Sequence, residues 1–342
     1  MIPFFQFDTN EQRNALLARG RKVALSALQQ FNIEWVRITF IQLSDTITYQ
    51  IETTTSQSYL LRIHSDRLNK QELQSELALL QSMNESADLV LPKGLPNSHG
   101  SYVLEIETDE GYRRPYVTIM HWVEGELVNG KITEEQAYSM GVMAARLHQA
   151  TASFIPPSDF TRPVWGADHF RREFDRLRKY YSCFLSEQAW TQYVAASEKI
   201  VSELANIQPT KLNFGIVHGD LHTGNIVVDQ DDPRPIDFGR CGHGYYLYDL
   251  AHTILSIHPP IRSKLIQGYE SIRKLETDYV RLLETFFIMS MIETYCHHAS
   301  NPSETANLIA EQPYAQALIR DYLQGAPFLF NPIKPMEIKE LS

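Results

Sequence analysis

The sequence predicts an α+β fold, in which a small antiparallel β region is followed by a larger, mainly helical region. Across residues 34–124, hydrophobic and polar residues alternate in five segments, the pattern of half-buried strands, with one helical stretch between the third and fourth. Beyond Gly125, apolar residues recur mostly at helical spacing. We therefore expect an N-terminal helix over residues 1–32, a small lobe over 33–122 and a large lobe over 123–342.

Local signals predict the elements of the small lobe and the helix before it. Residues 10–31 predict a helix for which Asp8, Thr9 or Asn10 can serve as the N-cap. A second helix is expected over residues 70–83, and a turn at Asp109 and Glu110 joins the last two strands. The five predicted strands span residues 36–40, 47–51, 59–63, 102–107 and 116–122.

The large lobe contains several helical patterns. Residues 133–149 begin with Thr133 as N-cap and Gln136 at the capping-box position. A second helical stretch spans residues 165–184, and several amphipathic helices are expected over residues 261–322.

Composition excludes some classes of function. The net charge of −10 argues against a general nucleic-acid binder, which would carry a basic face. The three cysteines are widely spaced and form no C-x-x-C pair, which fits a reducing compartment and indicates neither a disulfide framework nor a zinc site. The sequence begins without a signal-peptide pattern, and no apolar run reaches the roughly 18 residues that a membrane span requires. We expect a cytoplasmic protein that binds neither nucleic acid nor membranes.

The residues that could carry chemistry concentrate in residues 215–239, which read GIVHGDLHTGNIVVDQDDPRPIDFG. Three short apolar runs adjoin Asp220, Asn225 and Asp237, so buried strands would hold the intervening loops at both ends. Phosphoryl transfer requires a carboxylate that orients the attacking hydroxyl and accepts its proton, together with oxygen ligands for Mg²⁺. We predict Asp220 as this base and Asn225 and Asp237 as the magnesium ligands.

This stretch resembles the signature of the aminoglycoside phosphotransferase family, which includes choline kinase-like enzymes. That family carries H-G-D-L-H-x-x-N, with Gly where protein kinases have Arg, and here the residues are His218-Gly219-Asp220 and Asn225, followed by Asp237-Phe238-Gly239. The resemblance covers residues 33–330. It implies a bilobal protein-kinase-like fold and a Mg²⁺-dependent transfer of the γ-phosphoryl group of ATP or GTP to a hydroxyl. The acceptor would be a small molecule or, as in the bacterial stress-response kinases, a protein Ser or Thr.

Two alternatives of other classes stay open. The alternation of His218, Asp220 and His222 is compatible with a metal hydrolase, but such an enzyme would need further His and Asp clusters that the sequence does not place convincingly. A nucleotide-binding pseudokinase is the second alternative. The intact set of Asp220, Asn225 and Asp237 argues against it.

The resemblance also implies a nucleotide site in the small lobe. Arg62 stands where related enzymes have a phosphate-binding lysine on the third strand, and a planar guanidinium can clamp phosphate oxygens. Its ionic partner would be Glu76, chosen over Glu72. The turn after the first strand lacks the glycines of a G-x-G-x-x-G loop, so Ser44 and Thr46 would offer hydroxyls and backbone N–H groups to the phosphates.

The end of the last small-lobe strand would form the hinge that binds the nucleobase. Its backbone groups would pair with the adenine edge, and its residues are Met120, His121, Trp122 and Val123. The resemblance further implies that Asp249, in an Asp-Leu-Ala sequence, braces the catalytic loop by hydrogen bonds.

The acceptor site is predicted least directly. Helices beside the catalytic loop form the acceptor pocket in the family, and the 165–184 stretch offers three carboxylates, Asp168, Glu173 and Asp175. Four arginines lie on the same helix, so its local field is not acidic, and charge pairs at helical spacing need no ligand. The sequence therefore predicts that polycationic aminoglycosides are poor acceptors. The most apolar helix candidate, over residues 286–295, contains Glu293 and is predicted as a core helix.

Overall fold

The computed structural model describes residues 1–7, 9–86, 88–108, 111–128 and 130–336. The chain divides into two compact units. Unit 1 comprises Met1–Glu124 together with Phe154–Arg162, and unit 2 comprises Gly125–Ser153 and Pro163–Ser342.

Unit 1 is an antiparallel sheet flanked by two helices. Its elements are α1 (Asn10–Leu28), β1 (Trp35–Leu43), β2 (Thr46–Thr53), β3 (Ser58–His64), α2 (Lys70–Ser86), β4 (Lys93–Gly94), β5 (Leu104–Glu105) and β6 (Tyr116–His121). The strands are ordered β1-β2-β3-β6-β4, and β5 also pairs with β6. The antiparallel β region predicted from the alternating pattern is confirmed.

Helix α1 begins at a capping box and packs on the sheet. Thr9 Oγ1 accepts from the Gln12 amide at 3.2 Å, and Gln12 Oε1 accepts from the Thr9 amide at 3.3 Å. Of the three predicted N-caps, Thr9 is therefore the one used, while Asp8 lies outside the described residues, as does the turn predicted at Asp109 and Glu110. The helix buries Leu16, Val23, Ala24, Ala27 and Leu28 in one cluster with strand residues such as Ile47, Leu61 and Ile63.

Unit 2 is mainly helical. Its elements are β7 (Glu126–Leu127), α3 (Glu134–Ser153), α4 (Ala167–Leu177), α5 (Glu187–Ala205), β8 (Phe214–Val217), β9 (Ile226–Asp229), β10 (Asp232–Pro235), β11 (Gly242–Tyr245), α6 (Tyr246–Leu255), α7 (Pro259–Ile272), α8 (Tyr279–His298) and α9 (Thr305–Gln324). Two small sheets lie among these helices, one of order β10-β9-β7 and one that pairs β11 with β8. The predicted helical part of the chain is thus confirmed.

Two glycines let α3 and α7 pack backbone against backbone. A Cβ atom at Gly141 would overlap the carbonyl oxygen of Leu265, and one at Gly268 would overlap the carbonyl oxygen of Tyr138. A larger side chain at either position would push the helices apart. This crossing places His148 of α3 beside Tyr269 of α7, at 2.9 Å between the imidazole Nδ1 and the phenol oxygen.

Some predicted boundaries are wrong. The helix predicted over 165–184 ends at Leu177, and a 3-10 turn at Tyr181–Cys183 follows it. The ring of Tyr181 stacks on Trp190 of α5 at 4.3 Å between centroids, and Trp190 stacks on Phe174 at 5.0 Å, so tertiary packing overrides the local helical preference. The strand predicted over residues 102–107 forms only Leu104–Glu105.

Two composition-based expectations can be compared with the structure. Cys183, Cys241 and Cys296 are not joined in disulfides among the described residues, and the last two are buried. Among the described residues, no helix combines the length and the apolar character that crossing a bilayer demands.

Candidate active site

The loop that carries Asp220 is held between two strands. Strand β8 pairs with β11 and ends at Val217, and β9 pairs with both β7 and β10 and begins at Ile226. A 3-10 turn at Thr223–Asn225 closes the loop. The first two apolar runs of the sequence therefore lie in β8 and β9, while the third contributes only Pro235, the last residue of β10. Asp220 is half-buried in the loop between β8 and β9.

Asn225 is fastened to Asp220. Its amide nitrogen donates to the Asp220 carbonyl oxygen at 2.9 Å and approaches the Asp220 Oδ2 atom at 3.3 Å. Because both bonds use the nitrogen, the amide oxygen of Asn225 is left as an acceptor that faces away from Asp220. Asp220 and Asn225, which the sequence identified as site residues five positions apart, are thus hydrogen-bonded to each other.

Asp237 lies at an exposed position in a left-handed conformation, with φ 61° and ψ 68°. Such a conformation costs roughly 1 kcal/mol for a non-glycine residue, although aspartate is among those that adopt it most readily. The neighbouring Phe238 is buried and its ring lies 4.5 Å from the imidazole of His218. This anchor holds the turn, in which the Gly239 amide points to Asp237 Oδ1 at 3.4 Å.

The two histidines of the motif point to different surroundings. His218 is buried, and its Nε2 donates to the carbonyl oxygen of Ile236 at 2.9 Å. His222 is half-exposed, and its Nδ1 accepts from the Gly224 amide at 3.0 Å. Within the described ranges, no three or more His, Cys, Asp or Glu side chains come together in a way that could hold a metal ion. The hydrolase alternative, which needs such a cluster, has no support.

Asp249 of α6 is hydrogen-bonded to the backbone of the loop that carries Asp220, as the resemblance implies. It is fully buried, and its two carboxylate oxygens accept from the amides of His218 at 2.7 Å and Gly219 at 2.8 Å. His148 Nε2 donates a third bond at 3.0 Å. Burial alone would raise the pKa of Asp249, but the hydrogen bond and charge of His148, with the contribution of His218, outweigh it and lower the pKa. Burial lowers the pKa of His148, although the hydrogen bond and charge of Asp249 oppose this shift.

The backbone conformation and the close neighbours of position 219 explain why glycine stands between His218 and Asp220. The residue has φ +77°, and a Cβ atom would overlap the carbonyl oxygen of Arg240 and lie 2.7 Å from Trp165 Nε1. Trp165 Nε1 donates to that same carbonyl at 2.9 Å, and the Arg240 guanidinium lies 4.6 Å from the Trp165 ring centroid. A side chain at position 219 would therefore break the contact between the loop and Trp165.

A buried carboxyl group lies near the loop and was predicted only as part of a core helix. Glu293 of α8 is 8% exposed, and its Oε2 accepts from the Tyr248 hydroxyl at 2.7 Å. Its Oε1 is buried without a hydrogen bond to any described residue, and His169 Nε2 is 3.9 Å away. Burial raises the pKa of Glu293 to about 7, and the charges of Glu173 and Asp220 add to the rise. The sequence signal for this residue was a single carboxylate within the apolar stretch 286–295.

The carboxylates of α4, by contrast, are all paired. Asp168, Glu173 and Asp175 each lie within 2.7 to 3.8 Å of an arginine three residues further along the helix, namely Arg171, Arg176 and Arg178. This is the pairing that the sequence predicted. Burial lowers the pKa of His169, on the same helix, to about 4, so this imidazole is neutral at neutral pH.

In unit 1, Arg62 of β3 pairs with Glu76 of α2 at 2.5 Å between Nη2 and Oε1. Both side chains are almost completely buried. Glu72 is occupied otherwise, because its carboxylate accepts from the Asn69 amide at 2.9 Å in the first turn of α2. The partner chosen from the sequence, Glu76 rather than Glu72, is therefore the one that Arg62 contacts.

The two remaining sequence-predicted segments also lie in unit 1. In the turn between β1 and β2, the Ser44 amide donates to the Thr46 carbonyl at 3.0 Å, and Thr46 Oγ1 lies 3.0 Å from Thr48 Oγ1. Met120 is buried in β6, whereas the side chains that follow it are half-buried: His121, Trp122 and Val123. The Trp122 amide already donates to the Ser58 carbonyl at 3.1 Å.

Comparison with known proteins supports the family and the fold that the sequence predicts. A model of the phosphotransferase enzyme family matches residues 39–283. An uncharacterised protein of Synechocystis is 31% identical over a stretch covering 71% of this chain and 68% of its own length. The solved structure of a microcompartment-associated aminopropanol kinase matches with a TM-score of 0.79 at 22% identity, covering 90% of this chain and 99% of that one. The amicoumacin kinase hAmiN, solved with AMP-PNP, Ca²⁺ and Ami, matches with a TM-score of 0.75 at 16% identity, covering 96% and 99%. Because the family model spans most of the sequence, the chain belongs to the phosphotransferase enzyme family, is a phosphotransferase and has the protein-kinase-like fold of these solved proteins.

Proposed function

We propose that the protein is a Mg²⁺-dependent kinase that transfers the γ-phosphoryl group of ATP or GTP to a hydroxyl of a small molecule. The observation that carries this proposal is the bonded pair of Asp220 and Asn225, held from below by Asp249. It supplies a fixed carboxylate and, beside it, an amide oxygen available as a ligand. Family membership supports the reaction class.

Asp220 would act on the acceptor. Its carboxylate orients the hydroxyl, and accepts the hydroxyl proton as the bond from oxygen to phosphorus forms and the bond to the leaving nucleoside diphosphate breaks. The hydrogen bond from Asn225 at 3.3 Å keeps Oδ2 in one position. The half-buried position of Asp220 leaves part of the carboxylate accessible to an acceptor.

The donor set of Asn225 and Asp237 fits Mg²⁺. Both offer oxygen atoms, and Mg²⁺ is usually held by one or two protein side chains together with phosphates and water. Asn225 contributes the amide oxygen that its bonds to Asp220 leave over, and Asp237 contributes an exposed carboxylate. When bound, the ion would bridge the nucleotide phosphates and neutralise their charge.

Unit 1 would bind the nucleotide. Arg62, held by Glu76, would contact phosphate oxygens, and Ser44 and Thr46 would offer hydroxyl and backbone groups to them. Residues Met120, His121, Trp122 and Val123 would contact the nucleobase. Since the Trp122 amide is bonded within the sheet, the remaining backbone groups of this segment would pair with the base.

A small alcohol with at most one positive charge is the acceptor that the surroundings of Asp220 favour. A polycation would require several unpaired carboxylates. The carboxylates of α4 are paired with arginines, whereas Glu293 presents a buried oxygen without a hydrogen bond to the described residues. The two similar solved proteins are named for small molecules, and neither name supports a protein Ser or Thr acceptor.

The test is a screen for acceptor-dependent ADP or GDP release in the presence of Mg²⁺. The panel would contain amino alcohols, uncharged polyols, a Ser/Thr peptide mixture and kanamycin, with Asp220→Asn as the inactive control. We expect activity on amino alcohols or uncharged alcohols and at least about 10²-fold less with the control. Efficient phosphorylation of kanamycin, with a micromolar Michaelis constant, or of the peptides would contradict the proposed acceptor class. Nucleotide binding without transfer to any acceptor in the panel would instead favour a pseudokinase.

A further inference from the structure

Residues 154–162 connect α3 to α4, which both belong to unit 2, yet this segment belongs to unit 1. We refer to Phe154–Arg162 as the strap. It begins with exposed residues, since Ile155 is 88% exposed, and then turns, with the Phe160 amide donating to the Pro157 carbonyl at 3.0 Å. The rings of Phe154 and Phe160 pack edge to face at 5.3 Å. The strap is therefore an ordered loop with its own small apolar contact.

The end of the strap is bonded to the first two turns of α2. Gln71 Nε2 donates to the Asp159 carbonyl at 2.8 Å, and the Thr161 amide donates to Ser75 Oγ at 2.9 Å. Arg162 Nη1 donates to the Glu72 carbonyl at 3.1 Å. These contacts involve three residues that lie one, four and five positions before Glu76 along the helix. The strap is thus hydrogen-bonded to the part of α2 that directly leads to Glu76.

Arg162 is itself buried, being 8% exposed, and its bond to the Glu72 carbonyl places its guanidinium one helical turn before Glu76. His64, two residues beyond Arg62 on β3, supports this placement. Burial lowers the pKa of His64 well below its usual value, and the positive charges of Arg62 and of Arg162 lower it further. His64 Nε2 lies 2.9 Å from Thr118 Oγ1 of β6, which fixes the orientation of the imidazole.

We propose that the strap is a positioning element for nucleotide binding: Arg162, with Thr161, holds α2 where Glu76 can pair with Arg62. This inference rests on the proposed function, in which Arg62 contacts the phosphates. Arg62 is a long side chain, and a phosphate clamp requires it to stay in one conformation. The ion pair with Glu76 provides that restraint only while α2 keeps its place. Arg162 is accordingly a positioning residue and not a catalytic one.

The primary test measures the Kd of Mg·AMP-PNP by calorimetry, which needs no acceptor. Arg162→Met removes the charge and the hydrogen bond to the Glu72 carbonyl while it keeps an unbranched apolar stem. We expect the Kd to rise about tenfold, the equivalent of about 1.4 kcal/mol. Arg162→Lys, which can still donate to the Glu72 carbonyl, should recover part of the loss. The matched control is Arg113→Met, because Arg113 also bonds a backbone carbonyl of unit 1, that of Asp66 at 2.7 Å, and we expect a change of less than about twofold.

A double-mutant cycle separates positioning from an independent contribution. If Arg162 acts through Glu76, Arg162→Met should add little to the effect of Glu76→Gln. Additive effects on the Kd would overturn the proposal. So would an unchanged Kd in Arg162→Met while Arg62→Met and Glu76→Gln bind more weakly. If Arg62→Met itself binds Mg·AMP-PNP normally, the proposed role of Arg62 fails first, whatever the strap does.

Folding is checked separately. In thermal melts without nucleotide, the melting temperature of Arg162→Lys should be close to that of the parent protein. If Arg162→Met does not fold, Ser75→Ala serves in its place, since it removes the acceptor of the Thr161 amide without changing a charge. Ser75→Ala should also raise the Kd of Mg·AMP-PNP. Normal binding by Ser75→Ala, in an experiment where Glu76→Gln binds more weakly than the parent, would refute the role of the strap.

Discussion

Asp249→Asn is expected to destabilise unit 2 and to slow turnover together, because one buried carboxylate holds the backbone on which Asp220 lies. The parent carboxylate accepts three hydrogen bonds, from the His218 amide at 2.7 Å, from the Gly219 amide at 2.8 Å and from His148 at 3.0 Å. An amide side chain has only one oxygen. Whichever way the asparagine is turned, its NH₂ group faces at least one buried donor.

The expected loss of folding stability follows from these three hydrogen bonds. A buried donor left without an acceptor costs about 1–3 kcal/mol, and the bonds that remain lose the strength that a charged acceptor adds. We therefore expect a loss of about 3 kcal/mol. For a unit of this size each kcal/mol lowers the melting temperature by about 2–4 °C, so the expected decrease is about 6–12 °C. Turnover should fall at least about tenfold, since a displacement of Asp220 misaligns the acceptor hydroxyl.

Calorimetry and a steady-state assay on the identified acceptor would measure the two effects. The matched control is Asp278→Asn, because Asp278 is an exposed carboxylate of unit 2 that lies 3.5 Å from Arg281. Exposed ion pairs contribute at most about 1 kcal/mol, so this control should change neither quantity appreciably. If Asp249→Asn melts within about 2 °C of the parent, like the control, the three hydrogen bonds do not anchor the loop as argued here.

Three further predictions concern the proposed chemistry and one buried acid. Asp220→Asn should lower turnover at least about 10²-fold with nucleotide affinity changed only a few-fold, and near-normal turnover on the true acceptor would disprove the assignment of the base. Asp237→Ala should abolish Mg²⁺-dependent nucleotide binding in calorimetry but leave the nucleotide-free melting temperature nearly unchanged; retained binding would exclude Asp237 as a ligand. Because the folded-state pKa of Glu293 is raised to about 7, its protonated form stabilises the native state below pH about 4.5, and this contribution is lost as pH rises through 7. In urea titrations from pH 5 to 8, Glu293→Gln should therefore gain stability relative to the parent, by on the order of 3 kcal/mol, and a pH-independent difference would refute this.

Local patterns predicted the elements well where few distant contacts compete with them. The capping boxes of α1 and α3 are present, the latter with the Gln136 amide 3.2 Å from Thr133 Oγ1. The first three strands lie where the alternation of side chains places them. By contrast, the helix predicted through residue 184 ends at Leu177, because stacking of Tyr181 on Trp190 takes the chain out of the helix. No local pattern contains that contact.

The candidate site divides in the same way. The order and spacing of Asp220, Asn225 and Asp237 identified the reaction class, and Asp220 and Asn225, five positions apart, are hydrogen-bonded to each other within one loop. Which carboxylates form hydrogen bonds, by contrast, depends on residues that are far apart in the sequence. Asp249 bonds amides about 30 positions before it, and Glu293 bonds a hydroxyl 45 positions before it.

The family of the protein, its antiparallel β region and its helical region could all be predicted from the sequence, and so could the short segment to which we assign the proposed chemistry. These depend on periodicity and spacing, which are properties of neighbouring residues. Three features became visible only in the folded chain: Glu293 is a buried acid, Gly219 has no room for a side chain, and Arg162 is hydrogen-bonded to α2. Hydrogen-bond pairing, burial and steric overlap arise between residues far apart in the chain, and their pairing is set when the chain folds, not by any local pattern.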